Sequence, residues 1–261
     1  MGMFSGQYVL VTGGGSGIGH AIAQQLAAAG AKLAIADRNG EAAAAAAGSL
    51  RKEGAEALAV EADISSEAEV DAMFASVQRF GGALHGMAHC AGIGVEKTLL
   101  DTSLEDWNRL ISINLTGTFL CARGAARMMA GQGYGRILLM GSAAGERGGT
   151  GRSAYGASKG GVHALTRVMA VELAELGITV NAMAPGAIET ELVSRMHDAE
   201  TRSSYCSGIP ANRYGTPDEV AAAAEFLLSP GAAYVTGVVL PVDGGFMGAG
   251  VIKRQMNPGG N

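Results

Sequence analysis

The chain has 261 residues, of which 41 are glycine and 5% aromatic, with a formal net charge of −5. That length suffices for one large α/β domain with a sizeable core. The acidic balance argues against nucleic-acid or anionic-membrane partners, and no apolar run is long enough to span a bilayer. The opening MGMFSGQYVL lacks the charged start and long apolar core of a signal peptide. Cys90, Cys121 and Cys206 show no metal-ligand spacing, so no metal site is expected and the thiols read as free, in a cytoplasmic protein.

Tyr8 to Thr12 (YVLVT) is a continuous apolar run, as in a strand buried on both faces. Thr12-Gly13-Gly-Gly-Ser16-Gly17-Ile18-Gly19 follows, then an amphipathic helix to Gly30. A strand, a glycine loop and a helix N-terminus together form an anion site, because backbone N–H groups and the helix dipole face the ligand. The same glycines could serve a turn alone. Lys32 to Ala36 reads as the second strand, ended by Asp37. An acid there can accept from a ribose hydroxyl and repel a 2′-phosphate; it can also cap the helix predicted from Glu41 to about Glu53. Arg38 is a complication, since a basic side chain can meet that phosphate.

Ala55 to Ala62 is predicted as a strand, with Asp63 and Ile64 just beyond it. Ser66 to Phe80 has Val70, Phe74 and Val77 on one side, a helical period. Leu84 to Ala88 is a short strand running into His89-Cys90-Ala91-Gly92. Ser103 to about Met129 reads as one long helix carrying Asn114. Gly135 to Met140 reads as a buried strand, with Ser142 at its carboxyl end. The helix after it, out to Glu175, carries Tyr155 and Lys159 one turn apart, roughly 6 Å along the axis. A free tyrosine has a pKa of ~10, and a neighbouring ammonium favours the phenolate, so the pair reads as a tunable acid. Ile178 to Ala184, Pro217 to Leu228 and Val238 to Val242 read as strand, helix and strand. Strands and helices alternating in this way predict a single-domain α/β fold over residues 1–261, a doubly wound parallel sheet of Rossmann type. Ligands in such folds bind at the carboxyl ends of the strands.

Thr12-Gly13-x-x-x-Gly17-x-Gly19, Asn114, Ser142 and Tyr155-x-x-x-Lys159, in this order, resemble the short-chain dehydrogenase/reductase family, over nearly the whole chain from Tyr8 to Gly245. The resemblance implies a catalytic set. Tyr155 would be the general acid/base, Ser142 would bond the substrate oxygen, and Lys159 would hold the nicotinamide ribose and lower the Tyr155 pKa. Asn114 would hold a water in a proton relay behind Lys159. It also implies a dinucleotide held by Gly13, Ser16, Gly17, Ile18, Gly19, Asp37, Arg38, Asp63, Ile64, Ala91, Gly92, Tyr155, Lys159, Pro185, Gly186, Ile188 and Thr190, with Asp63 at the adenine edge. The chain departs from the family at His89-Cys90, where two asparagines are usual. His89 reads as a structural histidine rather than a second proton donor.

The expected activity is an NAD-dependent oxidoreductase interconverting a secondary alcohol and a ketone, with NAD preferred over NADP because of Asp37. A 3-oxoacyl-[acyl-carrier-protein] reductase is the alternative, on the pattern Ile209-Pro-x-x-Arg213-x-Gly-x-Pro217; Ala130-Gly-Gln-Gly133 and Glu172 stand where such reductases carry basic residues. A catalytically silent dinucleotide sensor or scaffold is a third reading. The substrate wall is expected from Ile93 to Glu96, Ala143 to Ser153, and a loop at about 187–214 with Met196, Tyr205 and Cys206. Glu146, Arg147 and Arg152 could recognise a polar substrate, with solvated loop charges the preferred reading. A homotetramer is expected, with Gly160, Gly161 and Ala164 letting helices approach across an interface, and the tail 246–261 is read as either reaching a neighbouring subunit or disordered.

Overall fold

The computed structural model describes residues 2–253. Seven parallel strands form one sheet: β1 (Tyr8–Thr12), β2 (Lys32–Asp37), β3 (Ala57–Glu61), β4 (Gly86–His89), β5 (Gly135–Met140), β6 (Ile178–Pro185) and β7 (Val239–Val242), in the order 3-2-1-4-5-6-7. Their apolar runs follow from burial on both faces: every residue of β5 and β6 is buried. Helices α1 (Gly17–Ala28), α2 (Gly40–Lys52) and α9 (Pro217–Leu228) cover one face around Ile22, Leu26, Leu50, Val220 and Leu227. Helices α3 (Glu67–Gly81), α5 (Gly117–Met129) and α6 (Ser153–Leu173) cover the other around Phe74, Leu120, Met129, Val162 and Met169. The Rossmann-type, doubly wound arrangement is therefore as the alternation of elements predicts.

Strand order reverses between β1 and β4. The chain first winds outward to β2 and β3, then returns to lay β4 on the other side of β1. In that register Thr12 pairs with His89. The crevice above this switch point is where open parallel sheets bind ligands.

The structure departs from the sequence expectations in five places. Asp37 lies inside β2 and His89 inside β4, each one residue beyond the predicted strand end. β3 is shorter than predicted, because Ala62 only bonds back to Asp37 and the chain then turns at Asp63. The predicted helix Ser103–Met129 is broken into α4 (Leu104–Ile111) and α5 by a π-helical turn at Ser112–Thr116. Such turns concentrate at functional positions; this one contains Asn114. The wide turn is supported by the Thr118 hydroxyl, which donates to the Asn114 carbonyl at 2.6 Å. Finally, the expected loop at 187–214 holds two helices, α7 (Glu191–Met196) and α8 (Ala199–Gly208). Their caps, Thr190 and Asp198, are visible in the sequence, but both helices are short and α8 buries none of its residues, so there is no apolar period to read. Of the expected tail, Phe246 to Lys253 is described; Asn257-Pro-Gly-Gly-Asn261 lies outside the described residues.

Candidate active site

A cavity of about 490 Å³ opens at the carboxyl ends of the strands. Every residue that the resemblance assigns to a dinucleotide lines it. Gly13, Ser16, Gly17, Ile18 and Gly19 form its floor at the start of α1; Asp37, Arg38, Asp63 and Ile64 form one end. Ala91, Gly92, Pro185, Gly186, Ile188 and Thr190 line the middle, and Tyr155 and Lys159 the other end.

The glycine loop owes its shape to sterics. Gly13 has φ +65°, and a Cβ there would lie 2.7 Å from the Ala91 nitrogen. Gly17 has φ +53° and is open apart from Thr190. Ser16 occupies the N-cap of α1 but makes no side-chain cap, and the first turn has no acid. By contrast α2, α3, α4 and α9 are capped by Asn39, Ser66, Ser103 and Thr216. The first N–H groups of α1 therefore face the cavity unspent, which fits a pyrophosphate. Asp37 Oδ2 accepts from the Gly15 N–H at 3.1 Å, and Oδ1 from the Asn39 N–H at 3.0 Å. The carboxylate is thus fixed beside the loop, where a ribose would lie. Asp63 is held below the usual carboxylate range, first by the Ser65 hydroxyl and N–H and also by Arg38. Arg38 therefore lies within electrostatic reach of Asp63; among the described residues no ion pair joins it to Glu41. These features together fit a dinucleotide.

Ser142, Tyr155, Lys159 and Asn114 converge at the far end. Ser142 lies near enough to the Tyr155 phenol to favour its ionised form, and its Oγ accepts from the Ala144 N–H at 3.2 Å. The Lys159 Nζ lies 5.8 Å from the centre of the Tyr155 ring and donates to the Met140 carbonyl, where β5 ends, at 2.7 Å. Asn114 is fully buried and does not line the cavity. Its Oδ1 accepts from the Ile93 N–H at 2.8 Å; its Nδ2 donates to the Ile93 carbonyl at 2.9 Å and to Ser158 at 3.2 Å. It thereby clamps the strand that leaves Gly92. A Cβ at Gly92 would lie 3.1 Å from Asn114 Oδ1 and 3.5 Å from Lys159 Nζ, so that glycine keeps open the space the two share.

Burial acts on both members of the Tyr155–Lys159 pair. Burial raises the Tyr155 phenol, and Ser142 and Arg152 only partly oppose it. Burial also brings the Lys159 ammonium down to about 8.

His89 is buried, with Nδ1 2.8 Å from Thr12 Oγ1, and burial brings it down to about 3. It does not line the cavity, so it is a neutral ring bracing the β1–β4 switch. Cys90 does line the cavity, and burial pushes its thiol up to about 12.

The substrate end differs from expectation in detail. Met196 and Tyr205 line it; Cys206 and Glu146 do not. Arg147 and Arg152, read as solvated loop charges, both line it, and the Arg152 side chain is only 14% exposed. Arg152 is drawn inward because the 94–102 segment bridges to it at Lys97, whereas Arg147 is solvent-exposed although it borders the cavity. Sequence reasoning missed three residues. Phe246 folds back from the tail onto Tyr205 and Arg147. His197 stacks on Tyr205 at 5.0 Å and meets the Tyr214 hydroxyl at 2.9 Å. His163 is buried behind Ser142, whose N–H it accepts at Nε2 (3.4 Å), with Glu146 Oε1 3.4 Å from its Nδ1. Its place one turn after Lys159 on the same helix is a signal that could have found it.

The family model described as Enoyl-(Acyl carrier protein) reductase matches residues 13–247. A 3-oxoacyl-[acyl-carrier-protein] reductase from Synechocystis sp. is 40% identical over 243 residues, 92% of this chain and 97% of that one. Levodione reductase from Leifsonia aquatica is 39% identical over 253 residues, 93% of this chain and 94% of that one. A crystal structure of levodione reductase superimposes with a TM-score of 0.90 at 37% identity, covering 94% of this chain and 99% of that one. The chain belongs to the short-chain dehydrogenase/reductase family and is an oxidoreductase acting between CH–OH and carbonyl groups.

Proposed function

We propose that this protein interconverts a secondary alcohol and a ketone with NAD(H). The observation that carries the reading is the convergence of Ser142, Tyr155 and Lys159 at one end of a cavity whose other end presents the fixed Asp37 carboxylate. A bound nicotinamide dinucleotide supplies the hydride acceptor. Ser142 holds the substrate oxygen through its hydroxyl. Tyr155 takes the alcohol proton as the C–H hydride leaves, and returns one in reduction. Lys159 stabilises the phenolate and passes the proton outward past Gly92, with Asn114 fixing that corner; a water held at Asn114 would complete the relay. Tyr155→Phe is expected to retain NADH binding and lose nearly all turnover. Near-normal turnover of a validated ketone by that variant would refute the mechanism.

Relatives named as 3-oxoacyl-[acyl-carrier-protein] reductases favour a second reading. Against it, the Arg213 of the shared pattern is spent on Glu219, at 2.6 and 2.9 Å, rather than offered to a carrier. Glu172 also puts an exposed acid near the end of α6. Comparing an acyl-carrier thioester with small ketones decides between the two. A silent sensor would bind NADH and turn over neither.

A further inference from the structure

Arg152 stands at the N-cap of α6 with no side-chain cap beside it. A cation there opposes the helix dipole, so the position is unfavourable unless the charge is used elsewhere. Its side chain turns into the cavity, with the guanidinium carbon 5.9 Å from the centre of the Tyr155 ring. It meets Glu96 at 3.2 Å and donates to the Tyr205 hydroxyl at 3.4 Å. Arg147 lines the same wall. Its guanidinium lies 4.3 Å over the Phe246 ring and donates to the Phe246 carbonyl. Among the described residues it has no carboxylate within ion-pair distance. Of the carboxylates nearby, Glu96 is paired with Arg152, Glu146 meets His163 and Arg167, and Glu191 is 82% exposed and 3.5 Å from Arg195. His197 is held low by burial and by Arg152, so it adds no positive charge of its own. The mostly buried Arg152 and the solvent-exposed Arg147 thus border one wall of the cavity, with Glu96 the one carboxylate paired to either.

We infer that the substrate carries a carboxylate or sulfonate, which Arg152 and Arg147 bind within about two to four bonds of the reacting carbonyl. This rests on the ketone–alcohol reading above. A neutral ketone would leave Arg147 without a carboxylate and Arg152 with Glu96 alone, whereas an oxo acid gives both a further charged acceptor. The anionic group is a spectator: hydride goes from the reduced nicotinamide to the carbonyl carbon, and the Tyr155 proton to its oxygen, giving the hydroxy acid anion.

The test measures kcat/KM of the full-length protein with a panel of short 3- and 4-oxo acids and oxo sulfonates, beside their neutral methyl esters. The wild type should favour the anions by about 10- to 100-fold, the range expected for charged hydrogen bonds. Arg152→Ala and Arg147→Ala should each lower the anion-over-ester ratio of kcat/KM by about 10-fold, chiefly through KM for the anions. A merely structural role would instead lower both classes together. Equal efficiency for anions and esters in the wild type, or equal losses for both in the variants, overturns the inference while the ketone reading stands. If no ketone of either class, nor any neutral ketone, is reduced, the ketone reading itself falls. Should the variants fail to fold, wild-type inhibition decides. Propanesulfonate should compete with the ketone and propanol should not; no inhibition by propanesulfonate overturns the inference.

Discussion

Lys159 shows what a single buried charge does in this fold. It is 4% exposed, and burial moves its pKa from 10.5 to about 8. A folded-state pKa below the unfolded one means that the ammonium form penalises folding, here by on the order of 3 kcal/mol. The penalty is complete below pH 8, where both states are protonated. It fades as pH rises from about 8 to 10.5, because the folded state releases its proton first. Lys159→Met should therefore raise Tm by a few degrees near pH 7 while abolishing turnover. The Met140 carbonyl would lose its donor, so the gain is smaller than the full penalty. Thermal melts of both proteins at pH 7 and pH 10 check this: the gap between them should narrow at the higher pH. Asp37 acts at the same scale. Its carboxylate, anchored by Gly15 and Asn39, would face a phosphate in NADP, at a cost of about 2–3 kcal/mol after screening. That corresponds to some 30- to 150-fold in kcat/KM in favour of NAD(H). Arg38 opposes the preference less than its position implies, since Asp63 competes for it. Cofactor kinetics in wild type and Asp37→Ala test the claim; no relative gain for NADP(H) in the variant would refute it.

Elements carry the next level of constraint. Helices α3 and α5 approach so closely that a Cβ on Gly124 would lie 2.2 Å from the Phe74 ring. Gly124→Ala must push the helices apart or force Phe74 off its rotamer. It should destabilise the protein by about 1–3 kcal/mol, seen as a lower midpoint in urea with an unchanged slope. The π-helical turn is a second element-level device. A regular helix through Ser112–Thr116 would rotate Asn114 away from Ile93 and leave a fully buried amide short of partners. Asn114→Leu should therefore weaken both stability and turnover, whereas Ser158→Ala, which removes only one of the bonds from Asn114, should cost less. Melting curves alongside initial rates distinguish the two.

At the scale of the molecule, α6 presents an exposed apolar stripe, with Val168 52% and Val171 80% exposed, beside Ala164. Phe119 on α5 is also 42% exposed, and Phe226 and Tyr234 lie open near α9. A surface of this kind favours association, and a homotetramer remains our expectation. Its basis shifts, however. Gly161 packs against Leu115 within the same chain, at 2.7 Å from an added Cβ, and Gly160 against the Gly145 carbonyl at 3.2 Å. Those glycines serve the protomer, and the stripe around Val168 and Val171 is left to meet a neighbour. Light scattering at micromolar concentration should show a species several times 26.3 kDa; a single-chain mass would contradict it. Val171→Glu should shift the population toward smaller species.

The sequence by itself determined the fold class and the sites built from contiguous residues. Continuous apolar runs and helical periods place the strands and helices, and the Thr12–Gly19 loop and the Tyr155–Lys159 pair are each set by neighbours in the chain. Such features depend on local spacing, which the chain order preserves. What tertiary structure decided lies wherever distant segments share space. The break at Asn114 depends on Ile93, on another loop. The fate of Arg147 and Arg152 depends on Phe246, Tyr205 and Glu96, which only folding brings to them. Burial likewise raises the Tyr155 phenol, a cost set by the walls around it that sequence spacing does not report. Burial and charge pairing are sums over neighbours in space, and sequence order reports only some of them.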